Sequence, residues 1–279
     1  MTDTTITIRR AEAPADYVAL QDAQRRAWGL ADDSYVVPVA TMVGAQHHGG
    51  LVLGAFTTEG EAVGLSFAFL GRTGERWCLY SQLTGVVPGY QGRGIGARMK
   101  EVQREHARAI GVPLIAWSFD PLQAGNAHFN LARLGARSHS FIPNMYGVRT
   151  DALNAGVPTD RLIVAWSTTP RPRVAVDKAR LEGLPQVIET VPRPDGLRDV
   201  AAVVTDRATG EDDVLLEIPG DIGRLRSHSP ELADRWRGAV ARGFTTHFAS
   251  GYEAVDFLRI KPAETSRHFY VLRRETPPA

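Results

Sequence analysis

The chain has 279 residues, enough for one large domain or two modest ones with a buried core. Its 32 Lys and Arg nearly balance its 31 Asp and Glu, so there is no long-range basic field, and neither nucleic acid nor an anionic membrane is an expected partner. The one cysteine, Cys78, excludes an intrachain disulfide and a multi-cysteine metal centre, and no metal is expected. The opening MTDTTITIRR lacks the apolar core of a signal peptide, and no later stretch offers the ~18 uninterrupted apolar residues of a membrane span. The expectation is a soluble, cytoplasmic protein. Lysine is scarce, represented by Lys100, Lys178 and Lys261 alone.

In chain order, ITIRR reads as a strand, and PADYVALQDAQRRAWG as a helix with Pro14 near its start, Tyr17, Leu20, Ala27 and Trp28 near one face, and Gly29 at its end. A short helix is expected from Val39 to Gln46. LVLGAF, AVGLSFAFL and RWCLYSQLTGVV follow, three apolar runs with tight connections, which is the pattern of an antiparallel meander. Cys78 falls within the alternation of the third run and reads as a packed thiol. The stretch GVVPGYQGRGIGARMK then leads through a glycine-rich loop into a helix, on which Ile95, Met99, Val102, His106 and Ala109 form the apolar stripe. PLIAWSFD supplies the next strand, AGNAHFNLARLG a helix ending at Gly135, and ARSHSFIPNMYG and RLIVAW two more strands.

From Ser167 the texture becomes proline-rich, from STTPRPR to TVPRPDG, without sustained periodicity. Beyond it DVLLEIP reads as a strand. SPELADRWRGAVARGFTTHFASG reads as a helix with Ser229 at its N-cap and a stripe of Leu232, Trp236, Ala239, Val240, Phe244 and Phe248. YEAVDFLRI and HFYVLRR supply two closing strands. The expected division is residues 1–169, a connector over 170–198 and a small α+β domain over 199–279.

Glycine-rich loops that open helices hold anions on unpaired amides and on the positive end of the helix dipole. A Walker loop requires Lys and Ser or Thr after its last glycine, and Gly96 is followed by Ala97 and Arg98. Gly92, Gly94 and Ala97 do satisfy the dinucleotide pattern G-x-G-x-x-A, with Asp120 ending the next strand, so an NAD(P)-dependent oxidoreductase is one alternative. Against it stand the intervening PGYQ, the antiparallel meander and the single further helical crossover. The run Val86-x-Pro88-x-x-Gln91-x-x-Gly94-x-Gly96 resembles the acyl-CoA signature of the GNAT superfamily of N-acyltransferases, and the order of elements around it resembles that family's fold. The resemblance implies a mixed α/β fold with a central mixed sheet, joined here to a smaller C-terminal α+β domain. It also implies acetyl-CoA or succinyl-CoA as co-substrate, its pyrophosphate on the amides of Gln91, Gly92, Arg93, Gly94, Ile95 and Gly96. Pantetheine would enter between the fourth and fifth strands, beside Leu83, Thr84 and Val86, and Asn126 or Asn130 would lie next to the cofactor. For Asn126, a helix cap is the competing role.

Direct transfer needs a neutral amine and a proton for the departing thiolate, and no covalent enzyme intermediate. The family often places a tyrosine four residues before the glycine that ends its fourth helix; here that position is Leu131. Tyr146 is the replacement acid, with hydrogen-bonded packing as its competing role. His128 is the candidate base or a satisfied core side chain, and Glu75 and Asp120 are weaker bases. Trp28, Tyr35 and Trp117 are candidates for an acceptor pocket. The whole chain resembles a two-part group of predicted GNAT acyltransferases, some linked with N-succinylation of amino acids, which implies a small-molecule amine as acceptor. A non-catalytic acyl-CoA sensor is the other alternative.

Overall fold

The computed structural model describes residues 5–147, 156–169, 183–205, 211–260 and 266–274. Its contacts gather into two compact units, the first drawn from residues 5–117, 156–157 and 167–169, the second from 118–147, 158–166 and the described residues from 183 onward.

In the first unit, β1 (Thr7–Arg10), α1 (Pro14–Trp28) and α2 (Val39–His47) precede a meander of β2 (Leu51–Phe56), β3 (Ala62–Thr73) and β4 (Arg76–Val86), followed by α3 (Ile95–Ala109) and β5 (Leu114–Phe119). The helix α1 begins on Pro14 and ends on Gly29, whose left-handed φ of 61° a side chain would resist. β1 to β4 pair antiparallel in sequence order, and β4 meets β5 in parallel, so the sheet is mixed. β2 is buried along its whole length, and its alternation sends successive side chains to opposite faces. Val52 and Phe56 join Tyr17, Leu20 and Met42 in the layer under α1 and α2. Leu51, Leu53 and Ala55 join Ile95 and Met99 under α3. Gly85 lacks a side chain for a visible reason: a Cβ there would meet the ring of Trp28 at 2.3 Å.

The second unit contains α4 (Ala124–Ala127), which runs on into a π-helical turn (His128–Arg133), then β6 (Arg137–Ile142) and β7 (Arg161–Ser167). A hairpin of β8 (Ile188–Pro192) and β9 (Arg198–Val203) follows, then β10 (Asp213–Ile218), α5 (Ile222–His228), α6 (Pro230–Ala249), β11 (Tyr252–Ile260) and β12 (Arg267–Arg274). Antiparallel pairings place these strands in the order β7, β6, β11, β12, β10. Ser229 caps α6 by accepting from the amide of Leu232. From α6, Phe244 stacks on Phe141 with centroids 6.0 Å apart and meets Tyr270 edge-on at 5.0 Å. Tyr270 donates its hydroxyl proton to the carbonyl of Pro121 (2.7 Å).

Three expectations need correction. TVPRPDG is the tip of the β8–β9 hairpin and no part of a featureless connector: Pro192 closes β8, and Gly196, at φ 76°, turns the chain. Residues 170–182 of the expected connector, the boundary at Pro170 included, lie outside the described residues. The buried face of α3 is Ile95, Met99, Lys100, Gln103 and Ala107, rotated from the expected stripe, and Ala109 is exposed. α5 has no counterpart in the sequence reading, because a seven-residue helix shows too few turns for a periodicity. The contacts also divide the chain between Trp117 and Ser118, since β6 takes a partner, β11, from far along the sequence.

A chain ending at Thr169 therefore loses β11 and α6 from the second unit and uncovers Phe141. Hydrogen exchange is expected to show the amides of β6 less protected in that shortened chain, which keeps β7 beside β6 but loses β11 and α6. Protection equal to the full chain's would show that residues 118–147 need no later segment.

Candidate functional site

The glycine loop is anchored at both ends and open between them. The amide of Val87 donates to the carbonyl of Val63 (2.9 Å), and a 3-10 turn over Pro88–Tyr90 carries the chain off the sheet. Gln91 folds its side chain back, Nε2 donating to the carbonyl of Val86 (3.0 Å). Gly92 and Gly94 take φ values of 78° and 76°, which only glycine adopts without strain. Ile95 is buried in the core and fixes the start of α3. Among the described residues, no protein acceptor takes a hydrogen bond from the amides of Gly92 through Ala97; the first helical bond runs from Arg98 to Gly94 (3.0 Å). Gly96 differs from its neighbours: its φ is not positive, and a Cβ there would meet nothing within 4 Å. The fold itself does not ask for glycine at that position. Arg93 lies over the Tyr90 ring at 5.0 Å, and Arg98 donates to the carbonyl of Ile6 (2.9 Å).

β4 is paired with β3 down to Val86, but its parallel pairing with β5 covers only Cys78–Tyr80 against Leu114–Ala116. A bulge follows at once, Ser81 facing Ala68 and Leu83 facing Phe67, with Gln82 the extra residue. Leu83, Thr84 and Val86 are half-buried on the β4 segment beyond that pairing. Under α3 this segment carries a polar cluster that the sequence reading missed. Lys100 Nζ donates to Ser81 Oγ (2.8 Å) and sits 3.9 Å from the centre of the Trp117 ring. Gln103 Nε2 donates to Ser66 Oγ (2.7 Å) and Ser81 Oγ (3.0 Å), and Thr84 Oγ1 lies 2.8 Å from Ser66 Oγ and 3.4 Å from Ser81 Oγ. Lys100 is 4% exposed, and burial pushes its pKa down to about 7. The available signal was a lysine, in a chain that otherwise prefers arginine, placed among the core positions of an amphipathic helix.

Asn126, His128, Asn130 and Tyr146 belong to the second unit. Asn126 is exposed within α4, whose N-cap is Gln123, so it is no cap. His128 opens the π-helical turn, half-buried, while Asn130 in the same turn is buried, as is Leu131. Tyr146 lies in the turn after β6, 36% exposed, its hydroxyl 2.8 Å from Ser118 Oγ and its ring 5.4 Å from the Arg161 guanidinium. That turn is clamped: the Thr159 amide donates to Oδ1 of Asn144 (3.1 Å), which sits at φ 45°, and the Tyr146 amide donates to Thr159 Oγ1 (2.9 Å). Asp120 accepts from the amide of Leu122 (2.9 Å) and serves a turn. Glu75 lies in the β3–β4 hairpin turn, ten strand positions or roughly 30 Å from the loop end of β4, too far to act as a base there. Trp28 packs on Gly85, and Tyr35 ends a short 3-10 turn over Asp33–Tyr35. Among the described residues no group of His, Cys, Asp and Glu could hold a metal ion, and no helix is long and apolar enough to cross a membrane.

No protein-family model matches the sequence, and no curated protein matches it. Solved structures of acetyltransferases are similar to part of it. A candidate acetyltransferase, yncA, from Salmonella typhimurium, solved with its cofactor acetyl-CoA, is 21% identical over 63% of this chain and 99% of its own, with a TM-score of 0.49. An acetyltransferase of the GNAT family from Streptococcus pneumoniae is 16% identical over 58% and 99%, at 0.48. An aminoglycoside 6'-N-acetyltransferase complexed with coenzyme A is 18% identical over 60% and 99%, at 0.45. Each likeness covers about three fifths of this chain.

Lys100 carries a stability consequence. Its pKa is about 7 in the folded chain against about 10.4 unfolded, so between those values the unfolded chain holds a proton that the folded one lacks. Stability therefore rises with pH across that window, and the cost of burying the ammonium is complete below it. Lys100→Met is expected to raise stability by an amount on the order of a few kcal/mol at pH 6, shrinking towards pH 10. Denaturant titrations at both pH values check this; a gain that is equal at both, or absent, would refute it.

Proposed function

We propose that this protein is an N-acyltransferase that moves an acetyl or succinyl group from acyl-CoA to the amine of a small molecule. An amino acid is the acceptor class favoured by the resemblance of the whole chain. Residues 1–169 are proposed as the acyl-CoA-binding part. The observation that carries the reading is the run of amides from Gly92 to Ala97 at the start of α3, unengaged by protein and exposed over its first three residues. Six donors in sequence, backed by the helix dipole, match a diphosphate far better than they match solvent. The early end of the β4–β5 pairing supports the second half of the reading, because backbone beyond Tyr80 stays available to the amides of pantetheine. An amide near Leu83 or Thr84 would then serve the oxyanion as the amine attacks.

The remaining roles are proposed residue by residue. Asn126 is the first choice for a contact to the cofactor, being exposed, and Asn130 the second. Tyr146 is the proposed proton donor, its hydroxyl already oriented by Ser118, and His128 the proposed base. The acceptor is a small amine, with no nucleic acid or membrane partner and no metal.

Acetyl-CoA or succinyl-CoA is expected to raise the melting temperature, while NAD is not. No shift with any CoA compound at millimolar concentration would end this reading. Gly96→Glu separates fold from binding, since Gly94→Val would strain a positive φ. A glutamate in the first helical turn has room, improves helix propensity and complements the dipole, so the fold is expected to gain up to about 1 kcal/mol. The same carboxylate opposes a diphosphate, so calorimetry is expected to find CoA affinity at least tenfold lower. Unchanged affinity would place the diphosphate elsewhere.

Tyr146→Phe tests the donor. With the full chain and a panel of small amines, turnover is expected to fall while CoA affinity stays within about twofold. Equal turnover under conditions where chemistry limits the rate would remove Tyr146 from the mechanism.

A further inference from the structure

Lys100 is a buried amine with no anion beside it. β4 and β5 present Ser81 and Trp117 to it, Ser66 and Thr84 lie further along the hydrogen bonds from Gln103 and Ser81, and among the described residues no carboxylate reaches it. On its own helix, Glu101 and Arg104 pair with one another at 3.7 Å. Buried ammonium groups ordinarily have a partner, because an isolated one is far from water's solvation and gains nothing in return.

The hydroxyls around Lys100 have a direction. Ser81 Oγ accepts from Lys100 and from Gln103, so its own proton points to Thr84 Oγ1. Ser66 Oγ likewise accepts from Gln103, and Thr84 Oγ1 at 2.8 Å is a nearer acceptor for its proton than the Leu83 carbonyl at 3.4 Å. Thr84 then has acceptors filled from beneath and a proton to give. It is also the one half-exposed member, since Ser66, Ser81, Lys100 and Gln103 are all buried. It lies on the stretch of β4 that β5 has ceased to pair. The Ser81–Thr84 separation of 3.4 Å is long for a hydroxyl pair.

We propose that the missing anion is the thiolate released by acyl transfer, with Thr84 Oγ1 donating to the departing sulfur and Lys100, acting through Ser81, holding Thr84 as that donor. This rests on the acyl-CoA reading above. The amine nitrogen attacks the thioester carbon, the C–N bond forms, and the C–S electron pair goes to sulfur. The amine's proton passes to the proposed base or to solvent. CoA departs as a thiolate bonded by Thr84, and its protonation, by Tyr146 or by water, follows cleavage. Thr84 touches the reacting atom and Lys100 is a positioning residue. Burial alone lowers the lysine's pKa to about 7, so an arriving anion raises it, and Lys100 takes up a proton as the thiolate forms.

The test needs no acceptor. The ultraviolet absorbance of the thiolate is titrated with pH for CoA free and for CoA bound at saturation to the full chain. The bound thiol is expected to titrate about one pH unit or more below free CoA, a tenfold gain in thiolate. In Lys100→Met it is expected to return to the value of free CoA, and Ser81→Ala and Thr84→Val are expected to do the same should the first variant fold poorly. CoA that binds the wild type but titrates alike in wild type and variants overturns this proposal alone. Failure of CoA to bind the wild type removes the acyl-CoA reading and this proposal with it.

Discussion

The unequal pairing of β4 is the constraint on which the rest of the first unit depends. Ten of its eleven residues pair with β3, while three pair with β5. The strand is thereby fixed from one side and released on the other, and the release coincides with the bulge at Gln82. A bulge changes which side chains face which way, and here it brings Ser81 and Thr84 to the same polar cluster although they are three residues apart. In an unbroken strand, residues at that spacing point to opposite faces. The polar cluster under α3 and the open stretch of backbone therefore have one cause.

α3 serves two ends of the same arrangement. Its first turn leaves amides pointing into the loop, and its second turn delivers Lys100 to Ser81. Ile95 and Met99 hold both in register by burying their side chains against Leu51, Leu53 and Val63. Losing either anchor would be felt at the loop and at the cluster together, since no hinge separates them in a helix of 15 residues.

The sequence discloses most elements and a good part of the loop, for physical reasons that also explain its failures. α1, α2, the meander, α3, α6 and β10 to β12 carry caps or periodicities that local chemistry enforces, and Ser229 and Gly29 act where they stand in the chain. The β8–β9 hairpin stayed hidden because prolines at strand ends and the PDG turn look like a linker until the partner strand is in view. α4 was expected as a regular helix; its π-helical continuation rewinds the stretch that carries His128 and Asn130, which no 3.6-residue pattern reveals. Pairing of β6 with β11, across more than a hundred residues, is beyond any local signal.

The three glycines of the loop show how a motif divides into fold and function. Gly92 and Gly94 are demanded by positive φ, and a chain with no ligand at all would still favour glycine at both. Gly96 has neither strain nor neighbours to excuse it and gives up helix propensity that alanine would supply. Lys100, about one turn further on, is kept in the same sense: a core position on an amphipathic helix would be more stable with an apolar residue of similar volume. Both departures from local stability fall on the stretch from the loop to Ser81, and the remainder of the buried face of α3 obeys ordinary packing apart from Gln103, which binds the same two serines. Exceptions scattered over a core speak of tolerance. Exceptions gathered on one and a half turns of one helix are what the proposed acyl-CoA site would require, a diphosphate on the amides and an anion beside the lysine.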